Sequence, residues 1–139
     1  MSSHRELWRI LDANLNRAKE ALRVAEDLAR FILNDRNLAS QYKKCRHALS
    51  KTLLSLPLPY IKMLETRDSR RDVGKRSVIQ DQKRKPKWSD LMVANLKRAQ
   101  EALRVLEECA KVVAPRQAAQ FQKLRFECYD LERRSLSKF

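Results

Sequence analysis

The residues best suited to chemistry fall into two groups, and the first is the segment 65–75, ETRDSRRDVGK. Arg67, Arg70, Arg71, Lys75 and Arg76 can clamp phosphate oxygens through charge-assisted hydrogen bonds. Asp68 and Asp72 are hard oxygen donors that could hold a magnesium ion bridging those phosphates. Gly74 is the only glycine of the chain. It is expected to supply a positive-φ turn that lets backbone amides approach an anion, with Lys75 beside it as a second cofactor-binding point. A solvated basic loop would have the same composition, and the P-loop pattern GxxxxGK[ST] is absent.

The second group comes from a repeat. Residues 13–26 read ANLNRAKEALRVAE and residues 94–107 read ANLKRAQEALRVLE, so eleven of fourteen positions are identical at a constant offset of 81. Further on, Gln41, Lys44 and Arg46 answer to Gln120, Lys123 and Arg125 at an offset of 79. Asn14, Arg17, Glu20, Arg23 and Glu26 are thus all retained as Asn95, Arg98, Glu101, Arg104 and Glu107. Spacing by three traces one ridge running obliquely around a helix, from beside the apolar stripe across the polar face. Exposed ion pairs of Glu20 with Arg23 and of Glu101 with Arg104 would account for part of it. They do not account for Asn14 and Asn95, which are mediocre helix formers inside a helix. Paired Asn and Arg at matching places in two related helices could line one shared polar cleft, with Arg17, Glu20 and Arg23 on one wall and Arg98, Glu101 and Arg104 on the other.

The elements that must carry these groups read as all-α. The apolar stripe Leu11, Leu15, Ala18, Leu22, Ala25 and Ala29 has a counterpart in Leu96, Ala99, Leu103, Leu106 and Ala110. One glycine and few alternating β-branched runs argue against a sheet. A first helix with a capping box of Ser3 and Glu6 is expected to run to about residue 33, with Asn34 and Asp35 as stop and new cap. A second should run over about 36–56 until Pro57 and Pro59, and Pro59 could open a short turn through residue 64. The third is placed from a Ser89 cap, with Trp88 and Val93 as a hydrophobic staple, to about residue 113. The fourth opens at Pro115 and carries Phe121, Leu124, Cys128 and Leu131 on one face.

The predicted architecture is therefore a single domain over 1–139. It comprises four main helices as two duplicated antiparallel hairpins, about 5–56 and 89–137, in a pseudo-symmetric bundle. The connector 57–88 is far longer than the two to eight residues usual between bundled helices. Broad apolar faces, including Val24, Leu28 and Phe31 outside the main stripe, allow the bundle to close within one chain or to pair two chains as a homodimer.

Composition bounds the rest. At 139 residues and 43% hydrophobic, the chain has room for one core. No run approaches the length needed to span a bilayer and residues 1–6 lack a signal-peptide core, so no membrane association and a cytoplasmic location are expected. Cys45, Cys109 and Cys128 are widely spaced with no CxxC and read as reduced core thiols; His47 reads as a surface or half-buried histidine. The net charge of +14 invites a nucleic-acid reading. Yet 67–87 alone holds nine basic and three acidic residues, and neither a helix-turn-helix pattern nor an aromatic stacking surface accompanies it.

Taken in order, ILDANLNRAKEALRVAEDLARF, KKCRHAL, RDSRRDVG, ANLKRAQEALRVLEE and KLRFECYDLE resemble a small bacterial family of all-helical hydroxymethylpyrimidine-phosphate kinases of thiamin biosynthesis. Its members often form the N-terminal domain of a fusion with thiamin-phosphate synthase. The resemblance covers about residues 9–132. It implies transfer of the γ-phosphoryl of ATP to 4-amino-5-hydroxymethyl-2-methylpyrimidine phosphate, with Mg²⁺ as cofactor and the synthase as a partner. It further implies that Arg67 and an arginine of the repeated ridge bind phosphates, and that Asp68 and Asp72 bind the metal. Asn14 and Asn95 would hydrogen-bond the aminopyrimidine edge or the phosphate, and Glu20 and Glu101 would orient the arginines. The chain departs from the family pattern at Ser69, Arg70 and Arg71, where smaller or acidic residues are usual. The rival classes are a basic helical nucleic-acid binder, with a steep salt dependence, and a non-catalytic scaffold or regulatory domain, recognised by a partner-dependent gain in stability.

Overall fold

The computed structural model describes residues 4–75 and 85–139 and contains only helices and connections among them. The elements are α1 (Arg5–Asp27), continued by a π-helical turn (Leu28–Ile32), α2 (Arg36–Leu54), the short α3 (Tyr60–Leu64), α4 (Trp88–Val113) and α5 (Pro115–Leu136). Ser3 of the expected capping box lies outside the described residues, as does Arg76.

Local sequence sets these boundaries. At the end of α1 the ladder widens, with Leu33 N donating to Leu28 O at 3.0 Å and Asp35 N to Ala29 O at 2.9 Å. The chain reverses at Asn34, φ 51°, the one non-glycine residue at positive φ among the described residues. Asn tolerates that conformation because its short amide bonds locally. Asp35 then caps α2 by accepting from Leu38 N at 2.9 Å. Pro59 precedes α3 as expected, and Pro115 occupies the first turn of α5, where its missing N–H costs nothing. The start of α4 differs from expectation. The cap is Lys87, not Ser89, and Trp88 is already helical; the Asp90 carboxylate accepts from Lys87 N at 2.8 Å. A carboxylate reaching back from the third helical position satisfies an orphan amide more effectively than the Ser89 hydroxyl would.

The four long helices pack in a ring: α1 against α2 and α4, α5 against α4 and α2, with α3 resting on α1. All eleven residues of the two apolar stripes are buried, and so are Phe121, Leu124, Cys128 and Leu131. Tyr42 is fully buried in the ring, and its hydroxyl hydrogen-bonds Ser135 Oγ and donates to Leu131 O. Burial raises its pKa far above that of a free phenol. Among the described residues no helix is long and apolar enough to cross a membrane.

Candidate functional site

The repeated ridge converges where α1 and α4 pack. Asn14, Arg17 and Glu20 from α1 and Asn95, Arg98 and Glu101 from α4 line one cavity of about 570 Å³, together with Ala21, Val24, Ala102 and Val105. Both asparagines are held alike: the side-chain amide of Asn14 donates to Ile10 O, and that of Asn95 to Leu91 O, each at 2.9 Å. That bond ties down the amide nitrogen, and at Asn14 the amide oxygen accepts from Arg17 Nη1 at 3.4 Å. Ala21 and Ala102 are both buried, and a larger side chain at either would intrude on the cavity.

The ridge does not enter the cavity along its whole length. Arg23 turns outward to Glu26 and Asp27, and Arg104 pairs with Glu108 at 3.0 Å. The expected pairs of Glu20 with Arg23 and Glu101 with Arg104 are therefore not formed. Arg23 and Arg104 pair with carboxylates on their C-terminal side, among them Asp27 and Glu108 four residues on, which leaves Glu20 and Glu101 to line the cavity. The last members of the ridge are structural: Glu26 binds Arg46 at 2.9 Å, and its repeat counterpart Glu107 binds Arg125 at 3.0 Å. These pairs fasten α1 to α2 and α4 to α5.

The segment that follows α3 comes back onto α1. Arg67 makes a two-pronged bond to Asp12, Nε to Oδ2 and Nη2 to Oδ1, both at 2.8 Å. Asp12 is only 3% exposed, and this geometry holds the Arg67 guanidinium firmly in its charged form, its pKa raised by the Asp12 hydrogen bonds. Arg9 reaches across to donate to Asp68 O at 3.2 Å. Arg9, Asp12, Asn16, Arg17, Arg67, Asp68 and Asp72 thereby line a second cavity of about 360 Å³. Arg17 belongs to both cavities, so the two adjoin at its side chain.

Gly74 does not play the part expected of it. No glycine has positive φ, and Gly74 N–H donates to Asp72 Oδ1 at 2.8 Å, so that amide is turned inward to a carboxylate. Its lack of a side chain serves close approach instead, since a Cβ there would stand 3.3 Å from Asp72 Oδ1. Lys75 Nζ donates to Arg70 O at 3.4 Å, and neither Gly74 nor Lys75 lines the cavity. Asp68 Oδ1 likewise accepts from Arg71 N at 3.2 Å. Each aspartate thus spends Oδ1 on ordering the loop, and its Oδ2 has no hydrogen-bonded or ion-paired partner among the described residues. Two free carboxylate oxygens suit a hard divalent cation that brings further oxygen ligands with it. No group of three or more His, Cys, Asp or Glu side chains able to hold a metal occurs among the described residues.

Sequence reasoning missed Asp12 and Arg9. Asp12 becomes Val93 at the repeat offset, so a comparison rewarding what the two copies share passes over it. The usable signal was an acidic residue flanked by the stripe residues Leu11 and Leu15, which needs a cationic partner if buried.

Comparison with known proteins adds a family and several relatives. The model of the ThiD2 family matches residues 9–134. The thiamine-phosphate synthase of Synechocystis sp. is 41% identical over 124 residues, which are 89% of this chain and 34% of that protein. The thiamine-phosphate synthase of Rhodopirellula baltica is 38% identical over 90% of this chain and 33% of its own length. That of Nostoc punctiforme is 36% identical over 91% and 34%. The chain spans about a third of the length of these relatives. No solved structure matches it.

Proposed function

The chain belongs to the ThiD2 family, and from that premise we propose that it phosphorylates 4-amino-5-hydroxymethyl-2-methylpyrimidine phosphate to the diphosphate with Mg-ATP, as a step of thiamin biosynthesis. Relatives named thiamine-phosphate synthase, of which it spans about a third, support a role in that biosynthesis and a synthase as its partner. The observation that carries the reading is the junction of two cavities at Arg17. One offers amide, guanidinium and carboxylate groups from two helices, which suits a small polar ring bearing a phosphate. The other offers Asp68 and Asp72, with cations beside them, which suits the phosphates and magnesium of a nucleotide.

The reaction asks little covalent chemistry of the protein. An oxygen of the acceptor phosphate attacks the γ-phosphorus of ATP, the bond from that phosphorus to the β,γ-bridging oxygen breaks, and ADP leaves with the electron pair. The acceptor oxygen is already ionised, so no strong base is needed. What is needed is charge neutralisation and alignment. In this reading Arg17, standing between the cavities, holds the acceptor phosphate and offsets charge on the transferring group. Arg98 and Asn95 hold the ring and its phosphate from α4. Asp68 and Asp72 would bind magnesium that arrives on the nucleotide, whose charge offsets that of the phosphates. Arg67 is committed to Asp12, so its role is to position the loop bearing both aspartates.

The test is a mass-resolved assay with Mg-ATP and the pyrimidine monophosphate, the unphosphorylated alcohol being run in parallel. Formation of the diphosphate from the monophosphate is the expected result. Folded protein that yields no diphosphate would defeat the proposal.

A further inference from the structure

A third cavity, of about 520 Å³, lies at the far end of α1, where the π-helical turn passes into α2. Glu26, Arg30, Asn34, Asp35, Arg36 and Lys43 are among its lining residues. Asp12 and Glu26 are fourteen positions apart on α1, so this cavity stands about 20 Å along the helix from the Asp68 and Asp72 cavity, at 1.5 Å per residue. Its size falls within the range of small-molecule sites.

The charges around it are unevenly matched. Glu26 is already paired, its Oε2 accepting from Arg46 Nε at 3.0 Å and Nη2 at 2.9 Å. Asp35, which caps α2 through Oδ1, is the single acidic lining residue without a cationic partner of its own among the described residues, and it is set against three cations. Arg30, Arg36 and Lys43 have no hydrogen-bonded or ion-paired acidic partner among the described residues; Arg30 rests on the Phe31 ring at 4.7 Å. The π-helical turn and the reversal at Asn34 bring Arg30 and Arg36 to one rim, six positions apart in sequence. A regular helix run straight on would have put residues six apart about 120° from one another around its axis. The second half of the chain did not keep this arrangement. At the repeat offsets Arg30 becomes Lys111, which is occupied by Glu108, while Arg36 and Lys43 become Pro115 and Gln122.

We propose that this cavity is a second anion site, taking the phosphate or diphosphate group of a small phosphorylated molecule on Arg30, Arg36 and Lys43. Guanidinium groups bind phosphate oxygens in pairs, and the ammonium adds a point charge. The site is independent of the kinase reading, and the proposal stands or falls separately from it.

The experiment is a titration of the ¹⁵N-labelled protein with inorganic pyrophosphate, followed by backbone amide shifts, with sodium sulfate at matched ionic strength as control. Saturable shifts at residues 30–43 are expected with pyrophosphate, weakened at least tenfold in affinity in Arg36→Gln/Lys43→Gln. Both residues are exposed, so the doubly substituted protein should keep its amide dispersion. Shifts confined to 9–17 and 66–75 would overturn the proposal. So would equal shifts with sulfate, or unchanged affinity in a folded Arg36→Gln/Lys43→Gln protein.

Discussion

Asp12 and Arg67 show how one residue pair links the fold to the site. The carboxylate is buried while the guanidinium side chain remains 38% exposed, so the pair closes the loop over α1 without leaving solvent altogether. Arg67→Ala would strand a buried carboxylate, and loss of about 2 kcal/mol is expected, less than for a fully buried pair because water reaches the arginine. Thermal denaturation checks this. Asp12→Leu combined with Arg67→Met should recover much of the lost stability, since no unpaired charge remains. It should not recover the order of the Asp68 and Asp72 loop, readable as amide protection at residues 68–74. Full recovery of both would mean that the pair only packs and does not position.

Among the elements, the passage from α1 to α2 was the most legible in the sequence and the connector the least. Asn34 and Asp35 read correctly as stop and cap because each has a local reason, tolerance of positive φ and a side chain that accepts from the third residue on. Asn34→Ala should cost about 1 kcal/mol through the left-handed backbone, and Asp35→Ala about 1 kcal/mol through the lost cap. Urea unfolding would register both, and a neutral Asn34→Ala would contradict the assigned turn. The cleft between α1 and α4 was legible for a different reason: the chain carries an internal comparison, and positions 14, 17 and 20 were retained at 95, 98 and 101. The connector offered no such comparison and no periodicity. Its anchoring by Arg9 and Asp12 depends on residues some 55 to 59 positions away, which no local pattern encodes. Gly74 was misread because a single glycine has two uses, a left-handed turn or close approach, and only the neighbouring Asp72 carboxylate decides between them.

For the molecule as a whole, packing two thiols and a phenol into the ring ties stability to alkaline pH. Burial keeps Cys45 and Tyr42 protonated far above their ordinary range and pushes Cys128 up to about 12. Free thiols titrate near pH 8.5. The unfolded chain therefore releases these protons first, and the stabilisation is complete below about pH 8.5 and lost progressively as pH rises towards the folded values. The melting temperature should hold level from pH 7 to 8 and fall between about pH 9 and 11. Cys128→Ala should make that fall shallower even though it lowers the plateau. A melting temperature unchanged up to pH 11 would contradict the buried thiols. Cys109, only partly buried, should react with a thiol reagent before Cys45 or Cys128.

The claim on which the functional account turns is that the α1–α4 cleft and the Asp68 and Asp72 cavity form one site joined at Arg17. The most direct test is steady-state diphosphate formation by Arg17→Gln beside the unsubstituted protein. Arg17 is exposed and outside the core, so its melting temperature should not change. The account predicts that kcat/KM falls at least a hundredfold, about 3 kcal/mol of lost transition-state stabilisation. Turnover equal to that of the unsubstituted protein would contradict it.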